Sequence, residues 1–388
     1  MPTVAIGGAI ANTAGRGGDT WHRLHWLLGL RRLGVRAHLV EQIGDAVCVD
    51  DTGAPVDLSA SSNLAYFREV LSAFGLSDCA TLLDQRGDSA YGLSLAGVRD
   101  LAGTADLLVN ISGHLDWRGL GLRPRRAVFI DEDPGFTQMW HVNGVLGKSL
   151  DGYDHHYSVG AHIGHPACHI PTGGIAWRPL RPFAVLSEWP AVDRPAFDRF
   201  TTVGSWRGPC SPVEFAGTTY GVKAHEFRKF VDVPRSTPAP FELALDIHPA
   251  DARDRDALSR HGWRLRKPKQ VAGNPIAFRT YVQQSGAEFS VAKSMYVQTN
   301  SAWFSDRTIR YLASGRPALV QDTGFGATFG DGIGLVPFRT RQDIVDGAAR
   351  IVSDYAAHSA AARQLAERCF DSDAVLTRFL DELGIAHG

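Results

Sequence analysis

The chain has 388 residues, long enough for two domains of ordinary size, and its 44% apolar and 21% charged content is that of a folded globular protein. Forty Lys plus Arg stand against 41 Asp plus Glu, a formal charge of -1, which argues against a general nucleic-acid or membrane-surface binder. An anionic ligand would then need a local cluster of cations. No run approaches the roughly 20 apolar residues of a membrane span, and Met1 to Gly8 lacks a basic region before an apolar core. A cytoplasmic protein without an integral membrane segment or nucleic-acid partner is expected. The cysteines Cys48, Cys79, Cys168, Cys210 and Cys369 are scattered and form no C-x-x-C pair, so reduced thiols are expected.

In chain order, Thr3 to Gly8 reads as a buried strand, followed by a Gly-rich loop and a helix carrying Trp21, Leu24, Leu27 and Leu28 at helical spacing. Gly34 ends that helix, and Val35 to Glu41 supplies a second strand. Strand, helix and strand form a unit that builds parallel sheets. Ala105 to Ile111 and Ala127 to Ile130 are further strands, the second ending in Asp131, Glu132 and Asp133. Three acids at a strand's carboxyl end invite raised pKa values and a general base. The stretch 154–169 holds His155, His156, His162, His165, Cys168 and His169, but it reads as strand and turn without a paired-histidine helix, and no metal site is expected.

A proline-rich connection spans about 179 to 197, after which a second series begins. Its strands are expected at Phe200 to Val203, Phe241 to Ile247, Glu288 to Val291 and Ala318 to Val320. Its helices are expected at Lys223 to Phe230, Ala252 to Arg260, Ile276 to Gln284 and Asp306 to Ser314, and the chain from Gln342 onward reads as helical. Ser305 or Asp306 caps the 306 helix, while Gly315 and Pro317 stop it. The exposed N–H groups of its first turn, with Arg307 and Thr308 beside them, suit a phosphate. Lys293 follows the preceding strand and can reach the same crevice. Ser205 and Arg207 end the first strand of the second series, and Lys223 opens a helix. The basic run Trp263 to Lys269 suits a loop beside a nucleobase or a solvated surface equally.

The segment F-S-D-R-T-x-x-Y-L-A-S-G-R-P-A-L-V-Q-D-T-G at 304–324 resembles the nucleotide-sugar segment of GT-B glycosyltransferases. Further pieces are similar to a group of bacterial glycosyltransferases: L-G-L-R-R-L-G at 28–34, F-I-D-E-D-P-G-F-T-Q at 129–138, I-P-T-G-G-I-A-W at 170–177, T-T-V-G-S-W-R-G at 201–208 and E-F-S-V-A-K at 288–293. The resemblance implies an α/β protein of two facing Rossmann-like domains, 1–195 and 196–365, with a C-terminal helical segment, 366–388, packing back on the first. It implies transfer of a sugar from a nucleoside diphosphate sugar to an acceptor hydroxyl or amine of a small molecule or glycan, without metal or cofactor. The chain departs from the retaining pattern of two glutamates at Ala302 and Arg310.

On this reading Ser205, Arg207, Lys223, Lys293, Ser305, Asp306, Arg307 and Thr308 hold the donor. Gly17, Gly18, Glu132 and His141 face the acceptor, and the base is Asp133, then Asp19, then His22. A nucleotide-sugar epimerase and a binding protein without turnover are the alternatives, and a homodimer is left open.

Overall fold

Alternating strands and helices in each half build one parallel sheet apiece. The computed structural model describes residues 1–193, 195–329 and 332–387. The first sheet uses β1 (Thr3–Gly7), β2 (Arg36–Ile43), β3 (Ala80–Asp84), β4 (Ser89–Tyr91), β5 (Leu107–Ile111), β6 (Ala127–Asp131), β7 (His155–Ser158) and β8 (Trp177–Pro179). Their order is β4-β3-β2-β1-β5-β6-β7-β8, parallel throughout except for β3 against β4. Helices α1 (Gly17–Arg32), α2 (Ser62–Ala73), α3 (Leu95–Thr104) and α4 (Phe136–Val142) connect these strands. Every residue of β5 and β6 is buried, as expected of strands covered on both faces.

The second half contains β9 (Phe200–Ser205), a hairpin of β10 (Val213–Phe215) and β11 (Thr218–Tyr220), β12 (Phe241–Asp246), β13 (Arg264–Arg266), β14 (Ala287–Ser290), β15 (Ala318–Gln321) and β16 (Leu335–Phe338). The second sheet runs β13-β12-β9-β14-β15-β16, all parallel. Its helices are α5 (Lys223–Phe227), α6 (Ala252–Arg260), α7 (Pro268–Ala272), α8 (Pro275–Gln283), α9 (Ser294–Gln298), α10 (Asp306–Ala313), α11 (Gly326–Phe329), α12 (Arg341–Ser353), α13 (Tyr355–Cys369) and α14 (Ser372–Glu382). The helix expected over 223–230 divides, its last three residues tightening into a 3-10 turn. Among the described residues no helix is long and apolar enough to cross a membrane.

The chain crosses between the halves twice, and the crossings touch. The Ala184 N–H donates to the Phe370 carbonyl at 2.9 Å, and the Ser372 N–H donates to the Ala184 carbonyl at 2.9 Å. Helix α13 stays with the second half, packing on α10, and α14 returns to lie on α1. Phe379 there meets Trp26 edge-on at 5.5 Å and Tyr157 at 5.1 Å.

Gly29 of α1 makes this return possible, because a Cβ at that position would fall 2.6 Å from Leu376 and 3.3 Å from Ser372. Gly29→Val should therefore lower the melting temperature by forcing α14 outward, at a cost of about 1–3 kcal/mol. Limited proteolysis should then release the segment after Phe370 first.

Candidate active site

A cleft of about 1370 Å³ opens between the carboxyl ends of the two sheets, where ligands of open α/β folds lie. Its first-domain wall starts with the loop after β1. Glu41, wholly buried at the end of β2, accepts the N–H groups of Ile10, Ala11 and Asn12 at 2.7, 2.9 and 2.7 Å, which shapes that loop. A carboxylate spent on three backbone donors is not free to hold a ribose hydroxyl.

Helix α1 then begins against the second domain. A Cβ on Gly17 would collide with the Asn274 carbonyl, 2.1 Å away. The Trp21 indole donates to the Pro275 carbonyl at 2.7 Å, and Gly18 offers its carbonyl to Arg310 at 3.0 Å. Both glycines line the cleft, but their immediate work is close approach of the two domains.

An ionic chain continues across this contact. Arg23 pairs with Glu132 at 3.1 Å, Glu132 pairs with His22, His22 faces Asp306 at 3.7 Å, and Asp306 binds Arg310 at 2.7 Å. Burial opposes ionisation of Glu132, but Arg23 and His22 outweigh it and hold the carboxyl down at about 2. Burial likewise opposes charge on His22, yet Glu132 and Asp306 overcome it and raise the imidazole. A histidine whose protonated form is favoured by two carboxylates is a poor proton acceptor.

Asp133, expected as the base, is engaged differently. Its carboxylate pairs with Lys293 and accepts the Tyr296 hydroxyl at 2.6 Å. Burial would lower Lys293, but Asp133 outweighs it and raises the amine. The raised acid of this trio is Asp131, lifted mainly by burial, and its oxygens are taken by Thr137 at 2.6 Å, Gln138 at 2.8 Å and Ser158 at 2.7 Å. Asp19, in contrast, lies at the cleft with its side chain half exposed and, among the described residues, only a 4.0 Å contact to Arg16; the desolvation it does meet raises its carboxyl, while Arg23 pulls it down.

On the second-domain side, Ser305 caps α10 by accepting the Arg307 N–H at 3.2 Å. The Arg307 guanidinium turns beneath the strand ends, bonding Glu288 at 2.7 Å, the Val203 carbonyl at 2.8 Å and Ser290 at 2.5 Å. Arg207 is fixed by Asp251 through two 2.6 Å bonds, so this cation expected at the donor is already paired. Lys223 forms no ion pair among the described residues. Burial lowers its amine, with Arg307 and Lys293 adding to the effect, and brings it to about 7. Ser205 also lines the cleft.

Two expected residues fall outside. Thr308 faces the buried side of α10, and His141 sits in the last turn of α4 beside Gly173, beyond the reach of the strand ends. Tyr296, Trp303, Phe278 and Arg310 line the cleft without having been singled out as site residues. Trp303 stands directly before the F-S-D-R-T segment, of which only the polar residues point to chemistry.

The raised His22 carries a stability consequence. Because its folded value lies above the ordinary one of about 6.5, the stabilisation is fully present below that pH and fades as pH rises through the folded value. Replacing His22 by Gln should cost most at acidic pH, and melting curves of the two proteins should converge as pH rises.

Neither a protein-family model nor a curated protein sequence matches the chain. Solved structures do. An alpha-glucosyltransferase in complex with UDP and a 13-mer DNA is similar at 10% identity and a TM-score of 0.61, covering 98% of this chain and 99% of that one. HepE (Alr3699) of Anabaena, in complex with UDP and glucose, gives 10% identity and 0.59, covering 99% and 100%. Sucrose-phosphate synthase of Thermosynechococcus elongatus gives 12% and 0.53, covering 99% of both chains. With two facing parallel sheets and a C-terminal helix returned to the first, the chain has the GT-B fold.

Proposed function

We propose that the protein transfers a glycosyl group from a nucleoside diphosphate sugar to a hydroxyl or amine of a small molecule or glycan. The observation that carries this reading is Lys223, a half-buried amine that forms no ion pair among the described residues, set beside Arg307 and Lys293 in the interdomain cleft. A cation depressed to about 7 by burial and like charges gains most from a phosphate. The start of α10 adds backbone N–H groups and a positive dipole end. The UDP found in the similar structures supports a uridine donor. Its base would extend toward Leu265, Arg266 and Lys267, which line the same cleft.

In the transfer, bond cleavage to the sugar leaves negative charge on the diphosphate, and Lys223, Lys293 and the α10 N–H groups stabilise it. Asp19 becomes the better base because its carboxyl is raised and not ion-paired at close range, whereas Asp133 holds Lys293 in place. His22 carries the proton that ties Glu132 to Asp306 and orients both. These cations supply the charge that a divalent metal would otherwise supply, so the proposed reaction is metal-independent.

Binding of UDP-glucose should be tightest below about pH 7, because Lys223 is then charged before the diphosphate arrives. Above that, affinity should fall by up to tenfold per pH unit, and calorimetric titrations of Lys223→Met should show a flat profile with binding weaker by tenfold or more, corresponding to about 1.5–3 kcal/mol. If no nucleotide or nucleotide sugar raises the melting temperature, the reading fails. Release of an altered free sugar nucleotide would instead identify an epimerase.

Asp19→Asn should lower kcat by about 10² to 10⁴ while the dissociation constant for UDP stays unchanged. Transfer should also persist in excess EDTA.

A further inference from the structure

Trp303 sits at the join of the two domains without having been assigned a task. Its ring lies over Tyr296, with centroids 4.5 Å apart and planes inclined at 29°, and it lines the cleft while half-buried. Its backbone is fixed on several sides. The Trp303 N–H donates to Ser301 Oγ at 3.2 Å, its carbonyl accepts from Thr323 Oγ1 at 2.5 Å, and it bridges antiparallel to Gly160 of the first domain.

The two residues that aim this segment hold unusual backbone angles. Asn300 has φ 51° and Ala302 has φ 53°, in the left-handed region that a side chain with Cβ rarely adopts. The Ala302 N–H is nevertheless held by the Thr323 carbonyl at 2.8 Å. Backbone held away from its preferred region by surrounding bonds is a common mark of a functional loop.

What surrounds the indole is the chemistry that recognises a pyranose. A sugar ring presents C–H groups on its faces, which suit an aromatic surface, and hydroxyls around its rim, which need charged or polar partners. Tyr296 lies behind the indole, its hydroxyl bound to Asp133, and Lys293 pairs with Asp133 while standing 5.0 Å from the Phe136 ring and 5.3 Å from the Tyr296 ring. Ser305 and Asp306, at the start of α10, follow Trp303 within three residues.

We infer that Trp303 is the platform on which the sugar ring of the donor lies, making it a specificity-determining residue. This rests on the reading of the cleft as a nucleotide-sugar site. The Trp303 backbone pairs with Gly160 of the first domain and leads within three residues into the start of α10, the proposed diphosphate end, while Leu265 to Lys267 line the cleft where the base would extend.

The test compares UDP and UDP-glucose by calorimetry on the wild-type chain, Trp303→Leu and Trp303→Phe. Trp303→Leu should bind UDP within twofold of wild type but UDP-glucose at least tenfold more weakly, and Trp303→Phe should recover most of the loss. Equal weakening toward both ligands would show that the indole serves the nucleotide, and unchanged affinity for both would show that it serves neither; each result overturns the inference while leaving the nucleotide site intact. A wild-type chain that binds neither UDP nor UDP-glucose overturns the proposed function and this inference together. If the leucine variant does not fold, Trp303→Gln is read in its place, with the same expected loss toward UDP-glucose and not toward UDP.

Discussion

Asp306 is the point at which the two domains and the anion-binding helix meet. One carboxylate lies at the positive start of α10, accepts Arg310 at 2.7 Å from the next turn, and faces His22 of the first domain at 3.7 Å. Burial works against its charge, but Arg310, His22 and Arg307 outweigh it and keep the carboxyl well below its ordinary value. Arg310 is 1% exposed and also donates to the Gly18 carbonyl, so its removal would take away both the counter-ion of Asp306 and a bond to α1. The position of α10 and the approach of α1 are thus fixed by the same ions, and any ligand held at α10 is registered against the first domain.

The balance of charge around the cleft follows from where each cation finds its partner. Lys293 is compensated by Asp133, Arg307 by Glu288 and Arg207 by Asp251, while Lys223 has no ion pair among the described residues. A chain of formal charge -1 therefore keeps a local positive field where the strands end, instead of a basic surface. That field is strongest inside the cleft because the surrounding protein screens it less than water does.

Motion between the domains is limited by how they are joined. Trp21, Trp189 and Phe278 form an aromatic seam, with Trp21 and Trp189 at 5.0 Å and Trp189 and Phe278 at 6.0 Å, and the apolar core runs through it from one half to the other. The two crossings are tied to each other where Ala184 bridges parallel to Asp371.

Hydrophobic periodicity and caps were enough to read the parallel α/β character and the α10 helix with Ser305 at its start and Gly315 at its end, because those signals are local. Short elements escaped it: β4, β8, the β10–β11 hairpin and α9 span three to five residues each and gain their order from neighbours. Residue types likewise announced that Lys223, Lys293, Asp133 and His22 could carry charge, and they brought Asp19 into view. The sequence by itself determined the alternation of elements and the supply of cations and acids. Which cation stays free, which acid is engaged and which aromatic faces the cleft depend on partners that the order of residues does not name: Asp133 and Lys293 are 160 positions apart, and that pairing exists only once two sheets stand opposite each other.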